Sequence, residues 1–244
     1  MSQPATAQPS ALFIGGCVHP FHFLEPAIPS VRAVLESVGL TVEVSGIYHP
    51  KRFPGDAPAG VVAEETERIG DYSALNAESL ARLALVALFT TGSGQGEDVT
   101  ALLEWVRNGG ALVGFHCAAD SFQGNADYVA ALGGLFRTHP APLDIAVEWV
   151  DTEHPITAGL TPFQVRDELY LFNHYDPARV HLLAQTRSFA HYEDQPDAPV
   201  PVCWTRTEGK GRIFYLSLGH FPEVMADPNW QELVRRGALW ALGR

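Results

Sequence analysis

Ala111-Leu112-Val113-Gly114-Phe115-His116-Cys117-Ala118-Ala119-Asp120-Ser121-Phe122 follows an Asn108-Gly109-Gly110 breaker and opens with a short apolar run. Such a run between turn signals has the pattern of a strand buried on both faces. The stretch then turns polar at once. From Gly114 to Ala118 the spacing is small, any, His, any, small, the steric pattern of a nucleophile elbow. In an elbow the apex residue occupies a strained strand-to-helix turn, and bulk two residues to either side would clash. Centring on His116 puts Gly114 and Ala118 at the flanks, whereas centring on Cys117 would put Phe115 and Ala119 there. The stretch therefore predicts an active-site-like corner with His116 exposed at its apex and the thiol beside it.

Working outward, the first half of the chain alternates strand and helix. Ala11 to Gly15, Thr41 to Ser45 and Leu85 to Phe89 read as strands. Helices are expected over Ile28 to Val38, from an Asn76 cap to Leu83, over Glu97 to Arg107 and over Asp127 to Leu132. That order implies a parallel sheet with helices on both faces. Residues 1–10 read as a disordered tail, Tyr48 to Gly60 as a Pro/Gly-rich surface loop, and 11–244 as one domain. After Gly134 the pattern changes to strands: Asp144 to Val150, Phe163 to Val165, Leu169 to Phe172, His181 to Ala184, Val200 to Thr205 and Arg212 to Leu218. A hairpin turn is expected at Thr207 to Gly211, and an amphipathic helix at Asn229 to Leu242. The fold class is α/β, a mostly parallel sheet with added antiparallel strands.

Composition narrows the chemistry. The 244 residues are 46% hydrophobic and 18% charged, which is globular, with a formal net charge of −12. That charge argues against a nucleic-acid partner, whose phosphates are neutralised by clustered Lys and Arg. No run approaches the roughly 20 apolar residues of a membrane span, and the start carries no signal-peptide pattern. Cys17, Cys117 and Cys203 are too sparse for a disulfide framework and suit a reducing cytoplasm.

Ligand sites of open parallel sheets lie beyond the carboxyl ends of the strands. The first strand sends His19 and His22 there, the strand ending at Phe89 sends Thr90 to Gly94, the next His116 and Asp120, and the late strand Gly219-His220. Histidine-bearing loops thus converge on one edge. Each has a plainer reading: His116 could hydrogen-bond a neighbouring loop, His220 could cap a strand end, and His19 and His22 could serve turn chemistry. Asp120 could orient an imidazole or cap the following helix. Glu168 and Tyr170 share a face at strand spacing and could offer a carboxylate and a phenol, or a solvated edge. His139-Pro140 and His154-Pro155 read as turn dipeptides. Cys117, off the apex, reads better as a small buried hydrophobe than as a nucleophile.

Several ordered motifs together resemble the trehalose-utilisation (ThuA-like) family. They are Gly114 to Phe122, Leu132 to Phe136 with His139-Pro140, His154 to Thr157, Asp167 to Tyr170, and Phe214 to His220. The resemblance implies a flavodoxin-like, class I glutamine amidotransferase-like three-layer sandwich. It puts His116 where the amidotransferases carry a nucleophilic cysteine, so it does not carry glutaminase chemistry with it. Gly219-His220-Phe221-Pro222-Glu223 is loosely similar to their His-Pro-Glu segment. The family is associated with the use of carbohydrates, particularly disaccharides and their keto derivatives.

These readings make the chain a cytoplasmic carbohydrate-processing enzyme, a hydrolase or related catalyst, acting on a sugar or keto-sugar. His116, His220 and Asp120 are the catalytic candidates; His19, His22, Glu168, Tyr170 and His139 are the substrate contacts. Imidazoles suit proton transfer near neutrality or metal ligation, so His19, His116 and His220 are also candidate ligands of a divalent metal such as zinc. No nucleotide cofactor is indicated, and assembly into a homo-oligomer is compatible with the sequence. Two other expectations stand beside this one. One is a thiol hydrolase or amidotransferase using Cys117. The other is a sugar-binding protein without turnover, whose Phe21, Phe23 and Tyr48 would stack on a ring.

Overall fold

The computed structural model describes residues 8–16, 22, 24–48, 67–68, 72–91, 96–189 and 198–244. Five strands form its parallel core: β1 (Ser10–Gly16), β2 (Thr41–Tyr48), β4 (Leu83–Thr90), β5 (Ala111–Phe115) and β12 (Gly211–Leu216), in the spatial order β2-β1-β4-β5-β12. Numbered among themselves these run 2-1-3-4-5, the flavodoxin-like order, with its topological switch point between β1 and β4. Four further strands extend the β12 side antiparallel: β11 (Val200–Glu208), β10 (His181–Thr186), β7 (Leu143–Trp149) and β8 (Phe163–Asp167). The two-residue β3 (Glu67–Arg68) edges the other side, completing ten strands.

Strand side chains alternate between the faces, and the core divides accordingly. On one face Phe13, Ala87, Phe89, Val113, Phe115 and Phe214 meet α1 (Leu24–Ser37), α5 (Pro222–Met225) and α6 (Pro228–Ala241). On the other Leu12, Ile14, Val86, Leu88, Leu112, Ile213 and Tyr215 meet α2 (Ala77–Ala81), α3 (Gly96–Arg107) and α4 (Ala126–Leu132). The result is a three-layer α/β sandwich.

Local chemistry explains most boundaries. The Asn76 side chain accepts the Ser79 N–H at 3.0 Å and caps α2. Gly133, at φ +98°, supplies the left-handed residue that ends α4. Helix α1 begins four residues before the expected Ile28, although Pro29 lies inside it and removes a backbone bond. Leu24 and Ala27 are fully buried, and sinking Leu24 contributes about 2 kcal/mol, which offsets much of that loss. Ser10, assigned to the tail from sequence, already belongs to β1, and Pro9 accepts the Thr41 N–H. Most of the expected tail and of the Tyr48 to Gly60 loop falls outside the described residues.

Two differences bear on the site. Glu168 and Tyr170 are not on a strand: β8 ends at Asp167 and β9 (Leu171–Asn173) begins after Tyr170, so they occupy the connection between them. Strand β6 (Leu135–Thr138), not expected from sequence, pairs with β9 in a separate two-stranded sheet. That small sheet brings Phe136 and Tyr170 together, with ring centroids 4.2 Å apart.

Candidate functional site

Strand β5 ends in a one-turn helix, His116–Asp120, and His116 takes φ +38°, the left-handed backbone that an elbow imposes on its apex. A side-chain carbon at Gly114 would sit 3.2 Å from Ala118 Cβ, Leu132 Cδ1 and Tyr215 Cδ2, so the small flanks are a steric requirement of the turn. The Tyr215 hydroxyl donates to the His116 carbonyl at 2.7 Å, and the Tyr128 hydroxyl to that of Ala118 at 2.8 Å. The Ser121 hydroxyl bonds Thr90, which ties the turn to the end of β4.

His116 is not exposed, as expected from sequence, but fully buried. The connection carrying Glu168 and Tyr170 lies over it, with the Tyr170 ring 3.9 Å from the imidazole, centroid to centroid. His116 Nδ1 donates to the Ser217 carbonyl at 2.7 Å. That bond places the lone pair of the neutral ring on Nε2. Nε2 lies 3.4 Å from Glu168 Oε2 and has no hydrogen-bond partner among the described residues.

Around this ring the converging loops meet. The ring centroids of His22, His116 and His220 form a triangle with sides of 5.1, 5.2 and 5.3 Å. His22 Nδ1 bonds the Thr91 hydroxyl at 2.8 Å, which leaves Nε2 on the side of the Tyr170 hydroxyl, 3.4 Å away. His220 Nδ1 lies 3.1 Å from Glu168 Oε2. The other carboxylate oxygen, Oε1, lies 3.6 Å from His139 Nε2, and His139 is the most open of the group at 36% side-chain exposure. Its Nδ1 donates to the Pro140 carbonyl at 2.8 Å.

The charges follow from burial. Burial drives the His22 imidazole well below its ordinary range, and neighbouring His116, His220 and His139 push the same way, so His22 is neutral at pH 7. Burial alone would raise the Glu168 carboxyl, but the imidazoles of His116, His220 and His139 outweigh it and hold the group below its usual value. Glu168 is a carboxylate facing imidazole nitrogens. Burial also keeps the Tyr170 phenol protonated.

The structure thus gathers His22, His116, His220, Glu168, Tyr170 and His139. Asp120 lies close enough to His116 for the imidazole to act on its charge, but its carboxylate accepts from Gln123 at 2.5 Å, and the ring of His116 is held by the Ser217 carbonyl. His19, Phe21 and Phe23 lie outside the described residues, as does the Tyr48 side chain. Cys117 is fully buried in the core on the α1 side, so it packs as a small hydrophobe and presents no thiol at the apex. Sequence reasoning missed Asp167, whose buried carboxylate accepts the Gly219 N–H at 2.6 Å and the His220 N–H at 3.2 Å. Burial pushes its carboxyl up to about 6. Its position beside Glu168 in the Asp167-Glu168-Leu169-Tyr170 motif was the available signal.

No described helix is long and apolar enough to cross a membrane. Among solved structures the fold is similar to a ThuA-like protein from Parabacteroides merdae, at 20% identity and TM-score 0.71, covering 97% of this chain and 90% of that one. It is similar to another from Bacteroides uniformis at 19% identity and TM-score 0.70, covering 99% and 95%. A cytoplasmic protein from Salmonella typhimurium aligns at 12% identity and TM-score 0.58, covering 95% and 98%. These likenesses speak to the fold. Comparison with curated proteins finds no match. Residues 27–241 match the family model described as ThuA, trehalose utilisation, and the chain belongs to that family.

Proposed function

We propose that this protein is a carbohydrate-processing enzyme acting on a sugar or keto-sugar at the site formed by His22, His116, Glu168 and His220. The observation that carries the reading is the meeting of imidazoles, a carboxylate and a phenol from separate loops at the carboxyl edge of the sheet. A site that did no chemistry would have little use for so many coupled titratable groups in one buried place. Family membership supplies the carbohydrate.

In this reading His116, locked in one tautomer by Ser217, offers Nε2 as an acceptor toward a reacting hydroxyl or an acidic carbon–hydrogen bond beside a carbonyl. His220, which keeps some exposure, and His139 contact the substrate, and Tyr170 is a hydroxyl donor. The small carbohydrate is the partner, and the compartment is the cytoplasm, where the buried thiols Cys117 and Cys203 stay reduced.

The test is a panel of disaccharides, trehalose included, and their keto derivatives, with product followed by chromatography. Wild type is expected to convert at least one member, while His116→Ala and His220→Ala lose turnover by 100-fold or more with unchanged circular dichroism. Calorimetric binding of sugars without product from any of them would overturn the catalytic reading in favour of a binding protein.

A further inference from the structure

The geometry points to a divalent transition-metal centre held by His22, His116, His220 and Glu168. Each of these residues offers one donor atom, and the four atoms lie within 4.8 Å of one another. The set is three imidazoles and one carboxylate, on loops that follow β1, β5, β8 and β12.

The decisive contact is the one between His116 and Glu168. Because Nδ1 is committed to the Ser217 carbonyl, Nε2 is the ring atom left to take up a cation, a proton or a metal ion, and without one it is an acceptor facing a carboxylate oxygen in a buried place. Two acceptors so placed repel unless a cation stands between them. A shared proton would draw a charge-assisted pair to about 2.7–2.9 Å. The separation is 3.4 Å. Ligands bonded at about 2.0–2.1 Å in a tetrahedral zinc site stand about 3.3–3.4 Å apart, so this spacing matches an edge of a coordination polyhedron better than a proton bridge, while His220 Nδ1, at 3.1 Å from the same oxygen, is within reach of either arrangement.

The surroundings are those of a supported centre. Ser217 and Thr91 occupy the remote Nδ1 atoms of His116 and His22, leaving each Nε2 toward the centre. Asp167 holds the backbone of His220. Such outer partners orient ring ligands and set their tautomers. A nitrogen-rich set with one carboxylate selects a borderline first-row ion, zinc or a neighbour, over magnesium or calcium, which prefer all-oxygen shells. The role of the ion, polarising a sugar carbonyl or acidifying a bound water, rests on the proposed sugar site; the centre itself does not.

The experiment strips the full chain with a chelator and titrates it with zinc chloride alone, counting bound metal by elemental analysis and affinity by competition with a chromophoric chelator. Cobalt(II) is added in parallel for its visible spectrum. Wild type is expected to bind about one equivalent and to show a cobalt band. Glu168→Gln, which keeps the side-chain shape, and His220→Ala are expected to weaken binding tenfold or more. His154→Ala, away from the cluster, should bind as wild type does. If His116→Ala fails to fold, the other two variants still decide the matter. No binding, or binding that Glu168→Gln and His220→Ala leave unchanged, would overturn the centre. Stoichiometric metal with no turnover of any sugar would support the centre and overturn the sugar reading, whereas sugar turnover by a chain that binds no metal would do the reverse.

Discussion

A bulky side chain in the left-handed region carries strain that its surroundings must hold in place, and at His116 the holding groups are identifiable. Tyr215 bonds its carbonyl, Ser217 bonds its ring, and Gly114 leaves the turn room. Gly114→Val would drive two methyl groups into Ala118, Leu132 and Tyr215; it should cost about 1–3 kcal/mol by urea denaturation and misplace the elbow, so that any activity falls further than stability does. Asp167 acts through its neighbours. Asp167→Ala leaves two buried or half-buried N–H groups without their acceptor, a loss of about 2 kcal/mol, and frees His220 from its position. Asp167→Asn keeps one acceptor and should recover part of both effects. Equal loss in the two variants would show that charge, rather than the bond to the Gly219 N–H, matters there.

At the scale of elements, α6 shows how a helix is fixed both to itself and to a distant loop. Glu232 receives Arg235 at 2.7 and 2.8 Å and Arg236 at 2.7 Å, and Arg236 also donates to the Ala158 carbonyl at 2.6 Å. The bond from Arg235, followed by that from Arg236, outweighs burial and holds the Glu232 carboxyl down at about 2. A depressed carboxyl contributes stability above its unfolded value, near 4.5, and loses it as the pH falls through about 2. Glu232→Gln is therefore expected to melt about 1–3 °C below wild type at pH 7, with the gap closing between pH 4.5 and 2. A gap independent of pH would mean that packing, not charge, is lost. On the other face, the Trp204 indole donates to the Leu132 carbonyl at 2.8 Å and joins the end of α4 to β11. Trp204→Phe leaves that carbonyl unpaired and should cost about 1–2 kcal/mol beyond the effect of its smaller ring.

At the scale of the whole molecule, the parallel core puts the carboxyl ends of β1, β5 and β12 along one edge, and the separate β6–β9 sheet with the connection before it adds Glu168, Tyr170 and Phe136 from the second half of the chain. Burial by both halves makes thiol reactivity a report on global opening. Cys117 and Cys203 should resist iodoacetamide in the native protein and label completely in denaturant, as mapped by peptide mass. Rapid native labelling of Cys117 would contradict its burial and reopen the thiol chemistry.

Short-range patterns were legible before any coordinates. Apolar runs between Gly and Asn breakers marked β4, β5 and β12, because a strand buried on both faces must be apolar throughout. The spacing from Gly114 to Ala118 marked the elbow, because its sterics are local. The strand order put His22, His116 and His220 at one edge. Other features depend on partners far along the chain. Strand β6 exists because β9 pairs with it, and its four residues, the first two half-buried and the last two exposed, carry no alternation to announce it. The burial of His116 comes from a segment some 50 residues later, the bond that sets its tautomer comes from a backbone carbonyl about 100 residues later, and a carbonyl has no residue-type signature. The sequence by itself therefore determined the α/β class, the elbow and the edge where chemistry gathers, all consequences of local sterics and period. Only the tertiary structure decided that Glu168 lies among the histidines and that the Ser217 carbonyl, rather than Asp120, holds the His116 ring, because each depends on contacts made by chain closing over chain.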